Sequence, residues 1–126
     1  MSGVKEVFLG ANGYFKNDEI MWLDKMLTKY SNKKVVIFQH FPLIDSKVYG
    51  HNLYKKDDYL KVLSKHNNVI AIVSGHYHEN LEVKENNIYH IVTQNFTNNM
   101  SYKLITIDDE TNEIYTFLIG KNKNFE

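Results

Sequence analysis

Val69-Ile70-Ala71-Ile72-Val73-Ser74-Gly75-His76-Tyr77-His78 is the stretch that decides how the rest of the chain reads. An unbroken apolar run, closed by Ser-Gly and followed at once by two histidines, predicts a buried strand that ends in a loop with metal-ligand chemistry. Strand ends are where open α/β sheets place their ligands. A second stretch, Val35-Val36-Ile37-Phe38-Gln39-His40-Phe41-Pro42, repeats the design with an imidazole just past its apolar residues.

Between and before these runs the pattern is helical. Asn17 can cap a helix whose first turn carries Asp18 and Glu19 against the positive end of its dipole. Ile20, Leu23, Leu27 and Tyr30 then recur at helical spacing, with Trp22 and Met26 widening an apolar side expected to lie in the core. A second helix begins at Asp57 or Asp58 and carries Tyr59, Val62, Leu63 and His66 on one side until Asn67-Asn68 stops it. The loop that follows His40-Phe41-Pro42, from Leu43 to about Tyr54, is longer than a routine connection, which suits substrate contacts. A short apolar run from Val4 to Leu9, ended by Gly10-Ala11-Asn12-Gly13, reads as a further strand.

Strand, helix, strand, helix, strand in that order implies parallel pairing with crossovers. His40 and His76 then emerge at one edge of the sheet, and if their strands are neighbours the ends lie about 5 Å apart. His76 and His78, two residues apart, would point to the same side in extended backbone. Beyond His78 the period changes to two. Leu81 and Val83 alternate with Glu82 and Lys84, Asn86-Asn87 can turn tightly, and Ile88 to Thr93 returns; Tyr102 to Ile107 and Ile114 to Ile119 form another pair. The expected fold class is α/β, a parallel β-α-β-α-β segment followed by an antiparallel β-meander, in one domain spanning residues 1–126, with a polar tail from Lys121.

Composition narrows the function classes. The chain has 126 residues, 43% of them hydrophobic, and its 15 lysines balance 15 aspartates and glutamates. No global field draws it to nucleic acid or to a membrane surface. Arginine is absent, so a bound phosphate would be clamped by metal rather than by a guanidinium fork. There are no cysteines, which excludes disulfides and thiolate metal sites. No apolar segment reaches signal-peptide or membrane-spanning length, so a cytoplasmic location is expected.

The strand ending Gln39-His40-Phe41-Pro42, paired with a later strand ending Gly75-His76-Tyr77-His78 and preceded by the Glu19-Ile20-Met21-Trp22-Leu23 helix, resembles the C-terminal half of calcineurin-like metallophosphoesterases. The resemblance runs from about Val7 to Ile119 and implies about half of an α/β/β/α sandwich. It further implies a hydrolase in which two metal ions act on a phosphoester. By position His40 and His76 match the imidazoles that hold one ion and His78 matches an imidazole on the other, with Mn, Fe, Zn or Ni the chemically suitable ions.

That family's Asp-x-His, Gly-Asp and Asn-His motifs are absent here, and no aspartate has a histidine two positions on. Three readings follow: the C-terminal part of a phosphoesterase whose other half supplies the carboxylates; a non-catalytic pseudoenzyme or binding and oligomerisation module with at most a weak single-metal site; or a half-domain completed by another subunit. Half a sandwich leaves strand edges and apolar faces bare, so an oligomer is expected. Among the remaining histidines, His51 stands in the long loop where it could meet a substrate phosphate, although solvated loop histidines are commoner. His66 reads as a surface or dipole-complementing group, and His90 as a strand residue rather than a ligand.

Overall fold

The computed structural model describes residues 13–45 and 53–120; the strand expected over Val4 to Leu9, His51 and the tail from Lys121 lie outside them. The chain order is α1 (Asn17–Lys29), β1 (Val35–Phe38), α2 (Asp57–Ser64), β2 (Val69–Ser74), β3 (Leu81–Glu85), β4 (Ile88–Val92), α3 (Phe96–Asn99), β5 (Ser101–Ile107) and β6 (Ile114–Gly120). A four-stranded sheet has the order β1-β2-β4-β3, and β5 pairs with β6 in a second sheet.

β2 lies between β1 and β4 and is parallel to both. Its continuous apolar sequence fits that position, since a parallel strand flanked on both sides has no solvated face to alternate with. The antiparallel half consists of two hairpins, and the first is joined to the parallel sheet through β4. The sequences explain the choice: Ile-Tyr-His-Ile-Val in β4 is nearly all buried, whereas Leu-Glu-Val-Lys-Glu in β3 carries its charges outward at the edge. Asn86 and Asn87 turn the hairpin with φ of 50° and 64°, the paired left-handed conformation of the two-residue turns that match strand twist.

The core lies between the helices and the sheet, where Leu27, Tyr59, Val62, Leu63, Val69 and Ile72 pack together. α1 starts one residue earlier than its sequence suggests. Lys16 is the cap, and its backbone N–H donates to the Glu19 carboxylate at 2.6 Å. Trp22, expected in the core, is 60% exposed. At about 100° per residue it sits well round the helix from the Ile20-Leu23-Leu27 row, and α1 has the sheet on one side only.

Asn68, read in the sequence as a helix stop, ties two elements together. Its buried side-chain amide donates to the carbonyls of Leu27 at 3.2 Å and Tyr30 at 3.0 Å, satisfying the C-terminal end of α1. Asn68→Ala should lower the unfolding free energy by about 1–3 kcal/mol, because the buried Leu27 carbonyl loses this donor, whereas the Tyr30 carbonyl keeps the Lys33 N–H. Urea denaturation measures this, and an unchanged midpoint would show that α1 needs no such tie.

The β5–β6 hairpin leans on the first sheet through charge. Lys103, its side chain buried, pairs with Glu82 at 3.0 Å and donates to the Val92 carbonyl at 3.3 Å, while the Thr116 hydroxyl donates to Glu82. Burial raises the Glu82 pKa, but the hydrogen bonds from Thr116 and Lys103 outweigh it and hold the carboxyl below its usual value. The outer side of the hairpin shows Tyr102, Leu104, Tyr115, Phe117 and Ile119 to solvent.

Candidate metal centre

Parallel pairing continues past the ends of β1 and β2. The Gln39 N–H donates to the Val73 carbonyl and the Gly75 N–H to the His40 carbonyl, both at 3.0 Å. These bonds bring the two histidine loops side by side. His40 Nε2 and His76 Nδ1 stand 3.2 Å apart, with ring centroids separated by 5.1 Å. Phe41 sits edge-on to both rings, 4.9 Å from His40 and 4.7 Å from His76 between centroids.

The loop after β2 departs from extended backbone. His76 and His78 have φ of 65° and 56°, and the Tyr77 N–H donates back to the Gly75 carbonyl at 2.7 Å. This is a γ-turn centred on His76 with its φ on the left-handed side, a rare and strained form. Side chains with a Cβ pay on the order of 1–3 kcal/mol for such positions, which persist where surrounding structure fixes them. The backbone there is therefore not the extended one the spacing assumed: His76 lies against His40, and His78 is exposed.

A hydrogen-bonded chain from α2 holds the end of β1. The buried Tyr59 hydroxyl donates to the Gln39 side-chain oxygen, and Gln39 Nε2 donates to the Phe41 carbonyl. Burial pushes the Tyr59 phenol well above its usual pKa, so it remains a donor. Gly13 supports the same corner from the other side, its carbonyl accepting from the Tyr54 N–H at 2.8 Å and its α-carbon lying against the Phe41 ring. The sequence marked Gly13 as a turn and left Gln39, Phe41 and Tyr59 without a role, since nothing in one chain announces contacts between such distant positions.

The other histidines lie elsewhere. His66, expected at the surface, is largely buried, with Nε2 2.6 Å from Asp24 Oδ1. Hydrogen bonds from His66 and then Lys65 hold the Asp24 carboxyl below its usual value. His90 is a buried strand residue whose pKa burial lowers. His51 falls outside the described residues. Among the described residues the clefts include one of about 390 Å³ beside His40, bordered by Tyr14, Glu19 and Phe38, and a larger one of about 940 Å³ around Val69, Asn86 and Asn112. The larger cleft adjoins the start of β2, at the end opposite His76.

The donor set suits part of a metal site. With metal–nitrogen bonds of about 2.0–2.1 Å, two imidazoles on neighbouring positions of one ion have nitrogens roughly 2.9–3.4 Å apart, a range that includes the 3.2 Å found here. Among the described residues no three His, Cys, Asp or Glu side chains converge as a metal-holding group. A metal ion held by this pair would take its other ligands from outside those residues.

No protein-family model matches the chain. In sequence it is similar to a manganese-dependent ADP-ribose/CDP-alcohol diphosphatase from Danio rerio, 31% identical over 80 residues that make up 61% of this chain and 25% of the relative. It is 29% identical over 69 residues to a probable cyclic nucleotide phosphodiesterase from Moraxella catarrhalis, covering 53% of this chain and 25% of that one. In structure it matches a dimetal phosphatase from Danio rerio with a TM-score of 0.59 at 21% identity, over 85% of this chain and 33% of the other. The chain thus spans about a quarter of the length of these sequence relatives. Over that part, the resemblance to metallophosphoesterase-type proteins holds in sequence, and the α/β fold is shared with the dimetal phosphatase. Among the described residues no helix is long and apolar enough to cross a membrane.

Proposed function

We propose that this chain, similar over most of its length to part of the metallophosphoesterase-type proteins, carries the histidine side of a metal-dependent phosphoesterase centre. His40 and His76 share one divalent transition-metal ion, His78 serves the second, and His51 contacts the phosphoester substrate. The observation that carries the reading is the 3.2 Å approach of two ring nitrogens from separate strand ends. Mn, Fe, Zn and Ni all accept neutral imidazole, and manganese is named for one relative. When bound, a pair of such ions lowers the pKa of a coordinated water toward about 7 and offsets charge developing on the phosphoryl oxygens. The protein's own part is to hold the imidazoles together against Phe41 and to keep both loops in register.

The centre is incomplete in the described residues, so the remaining ligands come from the rest of a longer domain or from another subunit. A second reading, a non-catalytic module with a weak single-metal site, is favoured by the lack of a third converging ligand among the described residues. Two measurements test both readings. The purified chain with manganese should hydrolyse a chromogenic phosphodiester at no more than background, because carboxylates that bridge two ions are missing. Its mass by light scattering should exceed that of the monomer, since among the described residues β1 is a sheet edge with Phe38 76% exposed and such edges recruit partners. Turnover lost on His76→Ala would overturn the incomplete-site reading, and a monomer without metal affinity would overturn both.

A further inference from the structure

A hydroxyl beside the γ-turn at His76 reaches across to the neighbouring loop. Tyr77 Oη donates to the Ile44 carbonyl at 2.5 Å, across a sequence gap that joins the loop after β2 to the loop after β1. The Ile44 segment is itself anchored, because Lys56 Nζ donates to the Leu43 carbonyl at 3.2 Å and pairs with Asp45 at 2.5 Å. The backbone bond from Gly75 to His40 ties the loops just before His76, and the Tyr77 hydroxyl ties them just after it.

We infer that Tyr77 is a positioning residue for the centre proposed above: its hydroxyl bond to Ile44 keeps the turn closed and His76 against His40, so divalent-metal affinity depends on a side chain that does not itself bind the ion. This rests on the metal-binding reading. The phenol is suited to the task because it spans the space between loops with two rotatable bonds and ends in a donor, while its neighbours on both sides have left-handed φ and therefore tend to relax.

The test uses the full chain, wild type and Tyr77→Phe, which keeps the ring and removes the donor. Three readouts are taken: the melting temperature without metal, the nuclear Overhauser cross-peak between the His40 and His76 rings without metal, and the affinity for Zn²⁺ and Mn²⁺ by calorimetry. The variant is expected to melt within a few degrees of wild type, to lose most of the ring-to-ring cross-peak and to bind Zn²⁺ about 10-fold more weakly, the scale on which supporting hydrogen bonds act at metal sites. A cross-peak that persists, or an affinity that equals wild type, overturns the inference. If wild type binds neither ion, the proposed function falls, and the cross-peak alone decides whether Tyr77 positions His76.

Discussion

Alanine in place of His76 is expected to abolish divalent-metal binding, lowering Zn²⁺ affinity by at least about 100-fold, and alanine in place of His40 should do the same. Each substitution removes one of two nitrogens that stand 3.2 Å apart, and a single imidazole on an otherwise solvated loop is a poor site for an ion that wants four ligands. The folded chain should tolerate both changes, since His40 is exposed and His76 only half-buried. His78→Ala is the informative contrast. Its exposed side chain joins no cluster of three among the described residues, so binding of the first ion should stay within about three-fold of wild type, well under the 1.4 kcal/mol that a tenfold change represents. Calorimetric titration of the three variants reads these differences directly. Wild-type affinity in His76→Ala would mean that the ring pair is an aromatic contact and not a metal site.

How far the sequence carried the structure can be judged from particular elements. The apolar run ending at Ser74 and the one ending at Phe38 are strands, they are parallel neighbours, and the register Phe38 with Val73 brings their histidine loops together. Those features were legible because they rest on continuous hydrophobicity and on the order of elements, both local properties. The hairpin at Asn86-Asn87 was legible for the same reason. What could not be read was that β4 would also pair with β2. β4 inserts beside β2 because its burial is nearly complete, a fact about the finished sheet that the alternating pattern of the hairpin disguises. Trp22 misled in the opposite sense, its helical spacing being compatible with a core that α1 offers on only one side. The pairing of His66 with Asp24 joins positions 42 apart and has no local signature at all.

At the site the same division holds. His40 and His76 are named by their motifs, while the turn that sets His76 against His40 depends on left-handed backbone that residue type alone does not announce. The supports are further removed. Tyr59 reaches Gln39 from the second helix, and Gly13 reaches Phe41 from the far side of α1. They decide whether two strand ends that merely lie near each other hold their rings at ligand distance.

Gly13→Ala should therefore damage stability and metal affinity together. A Cβ on Gly13 would fall inside the Phe41 ring, overlapping Cγ and both Cδ atoms. These are the base of the side chain, so rotation about its outer bonds cannot clear them. Nor can the backbone at Gly13 withdraw freely, since it forms a parallel bridge with Leu53 and accepts from the Tyr54 N–H. Phe41 must move, at a cost of about 1–3 kcal/mol for forcing a methyl group into a filled corner. Because Phe41 packs edge-on to both His40 and His76, its displacement loosens the imidazole pair and should weaken Zn²⁺ binding about 10-fold, the range seen when supporting residues of a metal site are disturbed. The double variant Gly13→Ala with Phe41→Ala separates crowding from mere loss of flexibility. Removing the ring makes room for the methyl, so the two stability costs should combine to less than their sum by about 1 kcal/mol, as expected for residues in direct contact. Additive costs in urea denaturation would show that Gly13 is needed for its backbone and not for the space it leaves to Phe41.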